Sequence, residues 1–220
     1  MSKKLQEKQQ RRLAEEAKRA RQKKDHRRAN LITVGIAALV VLAVAAVLVF
    51  QGEDPADDVG VGVSEANCTE RDTFESEGNQ HVDVGTPVEY AANPPTTGNH
   101  WPPEAVSDAG FFEEPIPPQS LIHNQEHGQI VIWYDPDAPP EVIDDIETMV
   151  GQEGGGVNIA APWDDIEEPH NYVLSAWSGE ADEGVQQSCE LASQEIWDEF
   201  RADFQAKGPE NVGFPTFSAD

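Results

Sequence analysis

Five of the chain's six histidines fall between residues 81 and 170, and four of them, His81, His100, His123 and His127, lie in or at the end of one proline- and glycine-rich stretch. The last two belong to HNQEHG at 123–128, which places Glu126 between them in an H-x-x-E-H order. Neutral imidazole is the commonest side-chain ligand for zinc and copper, and a neighbouring carboxylate serves as a further ligand or as the acceptor that orients a ring. Proline turns are stiff enough to hold such groups at one point. These residue types predict a metal centre made by His81, His100, His123, His127 and Glu126, taking zinc or copper(II). Met1 and Met149 are the only methionines, which argues against a thioether copper(I) site.

Read forward, H-x-x-E-H is the signature of the inverzincin peptidases, in which a helix holds both imidazoles on one ion while the glutamate activates water. QSLIHNQEH is able to make about two helical turns after Pro118 and stop at Gly128. The strand-like QIVIWY starts directly after the motif, however, which favours a turn or an extended approach. In an extended segment the two rings would stand about 13 Å apart and could not share an ion. Such peptidases also need a second long helix and a substrate chamber, for which the roughly 155 residues of this part of the chain leave little room. HNQEHG is therefore expected to be one wall of a loop-built site at the mouth of a strand. Two other readings stand beside the metal site. One is a non-catalytic envelope interaction module, with structural histidines and Trp101, Phe111 and Phe112 on a partner surface. The other, less favoured, is a metal-dependent hydrolase with Glu126 as general base. Neither Gly-x-Ser-x-Gly nor a phosphate-cradling loop is present.

The elements that must carry these residues follow from patterning. Residues 79–118 read as extended loops and turns, with one short strand at 88–90. QIVIWY, 129–134, is a strand of β-branched and aromatic residues closed by Asp-Pro. Pro139 and Pro140 open a helix that spaces Val142, Ile143, Ile146, Met149 and Val150 on one face, and Gly154–Gly155–Gly156 ends it. Strands follow at 157–161 and 172–177, and a last helix at 193–207 turns Ile196, Trp197, Phe200 and Phe204 inward. The order predicts an α+β domain with a small sheet of three to five strands, two helices and long Pro/Gly-rich loops.

Charge divides the chain. Twelve of its 15 cations precede residue 31; beyond that point three face 37 acids, a formal charge of −34. Between the two regions, the run that opens at Leu31 and closes at Phe50 contains no charge across 20 residues, enough helix to cross a hydrocarbon core of about 30 Å. A cleaved signal peptide usually has a shorter apolar core. The expected organisation is a basic cytoplasmic leader at 1–30, a single transmembrane helix at 31–50, an acidic linker at 51–66 and an exported domain at 67–220, oriented by the positive-inside rule. The leader's charge is expected to serve anionic lipid, not nucleic acid. Outside the cytoplasm Cys68 and Cys189 are expected to form a disulfide. The acidic domain, self-repelling in dilute salt, is expected to suit a medium rich in salt or divalent cations; equal melting temperatures in low and molar salt would refute this.

Four stretches, GTPVEYAANPPTTGNHWP, LIHNQEHGQIVIWYDPDAPP, VNIAAPW and NYVLSAWSG, together resemble the DUF3105 family of membrane-anchored or exported proteins of unknown function. The likeness covers roughly residues 66–212. It rests on a PP-T-[ST]-G-x-H element, here Pro94, Pro95, Thr96, Thr97, Gly98 and His100, paired with an H-x-x-E-H-G element, here His123, Glu126, His127 and Gly128. His81 matches a family histidine just before the G-T-P turn. Asn99 stands where many members carry proline, a departure expected to loosen the turn presenting His100. The resemblance implies a fold and leaves the activity open.

Overall fold

A computed structural model describes residues 59–151, 157–210, 212–214 and 216. All belong to one unit, Asp58–Asp220. The basic leader, the apolar run 31–50 and the glycine triplet at 154–156 lie outside the described residues. No helix among the described residues is long and apolar enough to cross a membrane.

The domain is α+β. Its strands are β1 (Asp72–Glu75), β2 (Gly110–Phe111), β3 (Val131–Tyr134), β4 (Ile159–Pro162), β5 (Tyr172–Ser178) and β6 (Glu183–Cys189), and its helices are α1 (Pro118–Glu126), α2 (Pro140–Gly151) and α3 (Gln194–Phe204). One six-stranded mixed sheet runs in the order β1-β6-β5-β3-β4-β2. β3, β4 and β2 are parallel neighbours, and the other pairings are antiparallel. The sheet is wider than the three to five strands expected, because β1 and β2 are short and β6, EGVQQSC, is too polar to stand out. The strand expected at 88–90 is not formed; that segment is irregular. The third helix, α1, is the one that the sequence reading left as a turn.

Alternation along the strands separates two faces. Ile130, Ile132 and Tyr134 join Leu174 and Ala176 on one side, where Val142, Ile146, Met149 and Val150 of α2 and Ile196, Trp197 and Phe200 of α3 complete an apolar core. Val131, Trp133 and Val173 point to the other side, with Ile159 and Ala161, and meet Leu121 of α1. α2 is the crossover between parallel β3 and β4, and its apolar face fits the 3.6-residue period.

α1 obeys a different rule. Every residue from Gln119 to Glu126 is buried, although only Leu121 and Ile122 are apolar. The sheet covers one side, and the Pro/Gly-rich loop wraps the rest. Several of its polar side chains are bonded to that loop and the sheet: Ser120 Oγ donates to Ala105 O, Asn124 Nδ2 to Ser107 O, and Ser175 Oγ of β5 donates to Gln125 Oε1 at 2.7 Å, while Gln125 Nε2 has no hydrogen-bond partner among the described residues. Burial of such groups is tolerable where they are bonded.

Residues 59–66, placed in the acidic linker by composition, are packed on the domain in the structure. Val59 is in the core, Ala66 is fully buried, and Gly60 bridges Ser193 at the start of α3. Cys68 and Cys189 are disulfide-bonded across 121 residues of chain, as expected. Closing so long a loop stabilises the fold by about 4–5 kcal/mol in the chain-entropy account.

Candidate metal centre

Three segments converge on the face of the sheet that carries α1. The first is the PPTTG loop. It lies over β6, where Gln186 Nε2 donates to Pro94 O and to Thr96 Oγ1, and where Gly184 leaves space for the side chain of Thr96. The Asn93–Pro94 peptide is cis. Gly98 has φ +124°, a conformation that disfavours any residue with a Cβ, and its turn delivers His100 into the interior. The second segment, 80–82, runs parallel to the first: His100 N donates to Gln80 O at 3.1 Å and Val82 N to His100 O at 2.8 Å, so His81 lies beside His100. The third is α1, which presents His123 and Glu126 three residues apart on one side.

Asn99 tightens this arrangement instead of loosening it. Its Oδ1 accepts from Gln80 N at 3.0 Å and its backbone carbonyl accepts from Tyr90 OH at 2.7 Å, so the residue ties the two loop segments together.

His81, His100, His123 and Glu126 each offer a ligand atom within 4.8 Å of the others. The three rings are packed, with centroids 4.8–5.0 Å apart, and the Trp177 ring meets His100 edge-on at 6.1 Å. His100, His123 and Glu126 are buried, and His81 is exposed, so the cluster opens to solvent on the His81 side.

Hydrogen bonding fixes the direction of two rings. Each of His100 and His123 has Nδ1 against a backbone carbonyl, Gly98 O at 2.8 Å and Trp101 O at 2.6 Å. A carbonyl only accepts, so both Nδ1 atoms carry a proton, and both Nε2 atoms point into the cluster. Metal-bound histidines are held in this way. At the centre, His100 Nε2 and Glu126 Oε2 are 3.0 Å apart without hydrogen-bond alignment. Two donors on a tetrahedral zinc, each at about 2.0–2.1 Å, stand about 3.3 Å from one another. Six buried side-chain polar atoms lack a hydrogen-bond partner among the described residues, and three of them, His100 Nε2, His123 Nε2 and Glu126 Oε2, meet here. Native interiors rarely leave such atoms unpaired, and the donor set fits a divalent ion.

The protonation states agree. Burial pushes the His123 imidazole below its ordinary value, against its bond to Trp101 O, and His100 and His127 push the same way. For Glu126, burial acts upward, but the contact with His100 and the nearby His123 and His81 outweigh it and hold the carboxyl below the usual glutamate range. A neutral ring beside an ionised carboxylate is the form that binds a metal.

His127 is placed differently. It is the C-cap of α1, and although its ring is 4.6 Å from that of His123, its Nε2 faces Glu210 Oε2 at 3.6 Å. It groups with Glu126 and Glu210, not with the other three histidines. HNQEHG is thus mostly helical, contrary to the loop wall expected, yet its two histidines turn to different neighbours, unlike the peptidase arrangement. Gly128, with φ +88°, ends the helix and lies against the backbone of Ala206 and Lys207, where a side chain would collide. Glu210 escaped the sequence reading because it is 83 positions from His127 and resembles any other exposed acid of the chain.

Trp101, Phe111 and Phe112 are half-buried: Trp101 Nε1 donates to Thr86 O, Phe111 stacks on Tyr134, and Phe112 packs on the core beneath α1. Met149 is in the core on the opposite face of the sheet, away from the histidines.

No curated protein and no solved structure matches the chain. A family model described as a protein of unknown function, DUF3105, matches residues 81–214, a span that begins at His81 and contains every residue of both histidine groups. The chain belongs to the DUF3105 family.

Proposed function

We propose that this domain binds a divalent transition-metal ion, zinc or copper(II), through His81, His100, His123 and Glu126. The observation that carries the reading is the meeting of three buried atoms without a hydrogen-bond partner, two of them ring nitrogens whose opposite nitrogens are committed to backbone carbonyls. Three imidazoles and one carboxylate suit either ion. The ligand atoms lie within 4.8 Å of one another, wider than the about 3.3 Å between two donors on a tetrahedral zinc, so metal binding would draw the side chains together.

The same reading places the domain outside the cytoplasm, tethered by residues 31–50. The disulfide supports an oxidising compartment, and the charge-free run preceded by a dozen cations supports an anchor. External protease on intact cells should digest the domain; protection from digestion that is lost only on lysis would reject this location.

The metal claim is tested by chelator treatment followed by zinc titration of the full-length chain in detergent. The wild type should take up zinc and melt at a higher temperature with it, whereas the paired His100→Ala and His123→Ala substitutions should abolish both effects. Wild-type protein that retains no ion after gel filtration refutes the site.

A further inference from the structure

We infer that a second divalent cation binds beside the first, between His127, Glu210 and the shared carboxylate of Glu126. The inference rests on the first centre being a metal site, because Glu126 belongs to both.

Glu126, His127 and Glu210 offer ligand atoms within 4.8 Å of one another, as the first group does. His127 follows Glu126 at the end of α1, one helical turn beyond His123, so the two groups adjoin along the helix. The His127 Nε2 to Glu210 Oε2 separation of 3.6 Å is too long for a hydrogen bond but close to the spacing of two ligands on one ion. Glu126 has one oxygen at the first centre, 3.0 Å from His100 Nε2 and without a hydrogen-bond partner, in a residue only 2 % exposed. A carboxylate has a second oxygen, and one that bridges two ions about 3.5–4 Å apart is a recurring unit of two-metal sites.

The backbone holds Glu210 where this needs it. Glu210 N donates to Glu126 O at 2.9 Å and Ala206 N to Gly128 O at 2.8 Å, so the segment after α3 is fastened to the end of α1. Gly208 lies against Glu126 O and Gly128 N so closely that no side chain fits there. Glu210 adds a second carboxylate that offsets part of the charge a second ion brings.

The test is a cobalt(II) titration of the full-length chain in detergent, freed of metal, reading the visible absorption of bound cobalt and the equivalents taken up. The wild type should bind two equivalents. Glu210→Gln, at an exposed side chain, should bind one, with the spectrum of the first centre retained. A wild type that binds one equivalent, or a Glu210→Gln protein that still binds two or has lost both, overturns the second site. A wild type that binds no cobalt defeats the first centre itself, an outcome distinct from the others.

Discussion

The two faces of the sheet are built by opposite means. On the α2 and α3 side, shape and apolar area do the work: Trp197 and Phe200 are almost fully buried, and the residues around them repeat at helical spacing. On the α1 side a helix of mostly polar residues is equally buried; many of its polar groups are aimed at particular partners, and four buried polar atoms on this side, on His100, His123, Gln125 and Glu126, have no hydrogen-bond partner among the described residues. The first face stabilises the domain. The second holds a constellation whose geometry costs stability unless something completes it. The disulfide, on the first face with Cys189 in its core, helps offset that cost.

Substitutions should separate the faces. The largest effect is expected from Trp197→Ala, which should lower stability by about 3–5 kcal/mol through a core cavity and leave metal affinity unchanged while the chain is folded; denaturant melts with and without zinc measure both. Next, His100→Ala should remove the metal-dependent gain in stability, about 2.7 kcal/mol for an ion at a hundred times its Kd, while costing the metal-free chain less than Trp197→Ala does. A metal-free loss as large as that of Trp197→Ala would make His100 a structural residue. Gln186→Ala frees Pro94 and Thr96 and should weaken metal binding roughly tenfold by loosening the turn before His100, as a competition titration would show.

The smallest effect is that of pH. His123 is held below its unfolded value, so its neutral form favours folding; that contribution is complete above about pH 6.5 and is lost as pH falls from there. Glu126, also lowered, acts with the same sign in a more acidic window, losing its contribution below the ordinary glutamate range. The metal-free chain should therefore melt at progressively lower temperature on acidification, and metal retention should fall in the same direction as protons compete for the ligands. A metal-free melting temperature that rises on acidification from pH 7 to 5 would contradict the His123 assignment.

The same contrast explains what could be read from the sequence. α2 and α3 were legible because Val142, Ile146, Trp197 and Phe200 repeat on one face, and β3 and β5 because their residues are apolar or aromatic. α1 was not, because PQSLIHNQE has no apolar stripe; its burial comes from contacts 15 to 50 positions distant, such as Ala105 and Ser175. β6 was missed for a related reason: Gln186 and Gln187 face loop carbonyls instead of apolar side chains. The candidate centre was visible as residue types, and His81, His100, His123 and Glu126 do come together. What sequence did not show is that His127 faces the other way, since the direction of a helix-capping side chain depends on where the segment after α3 returns.

The most direct test is the metal content of the chain purified from its native host without added metal, set beside the His100→Ala and His123→Ala protein. The account predicts at least one equivalent of zinc or copper in the wild type and none in the double variant. Wild-type protein free of metal that also refuses both ions in titration, or a double variant that keeps its ion, would contradict it.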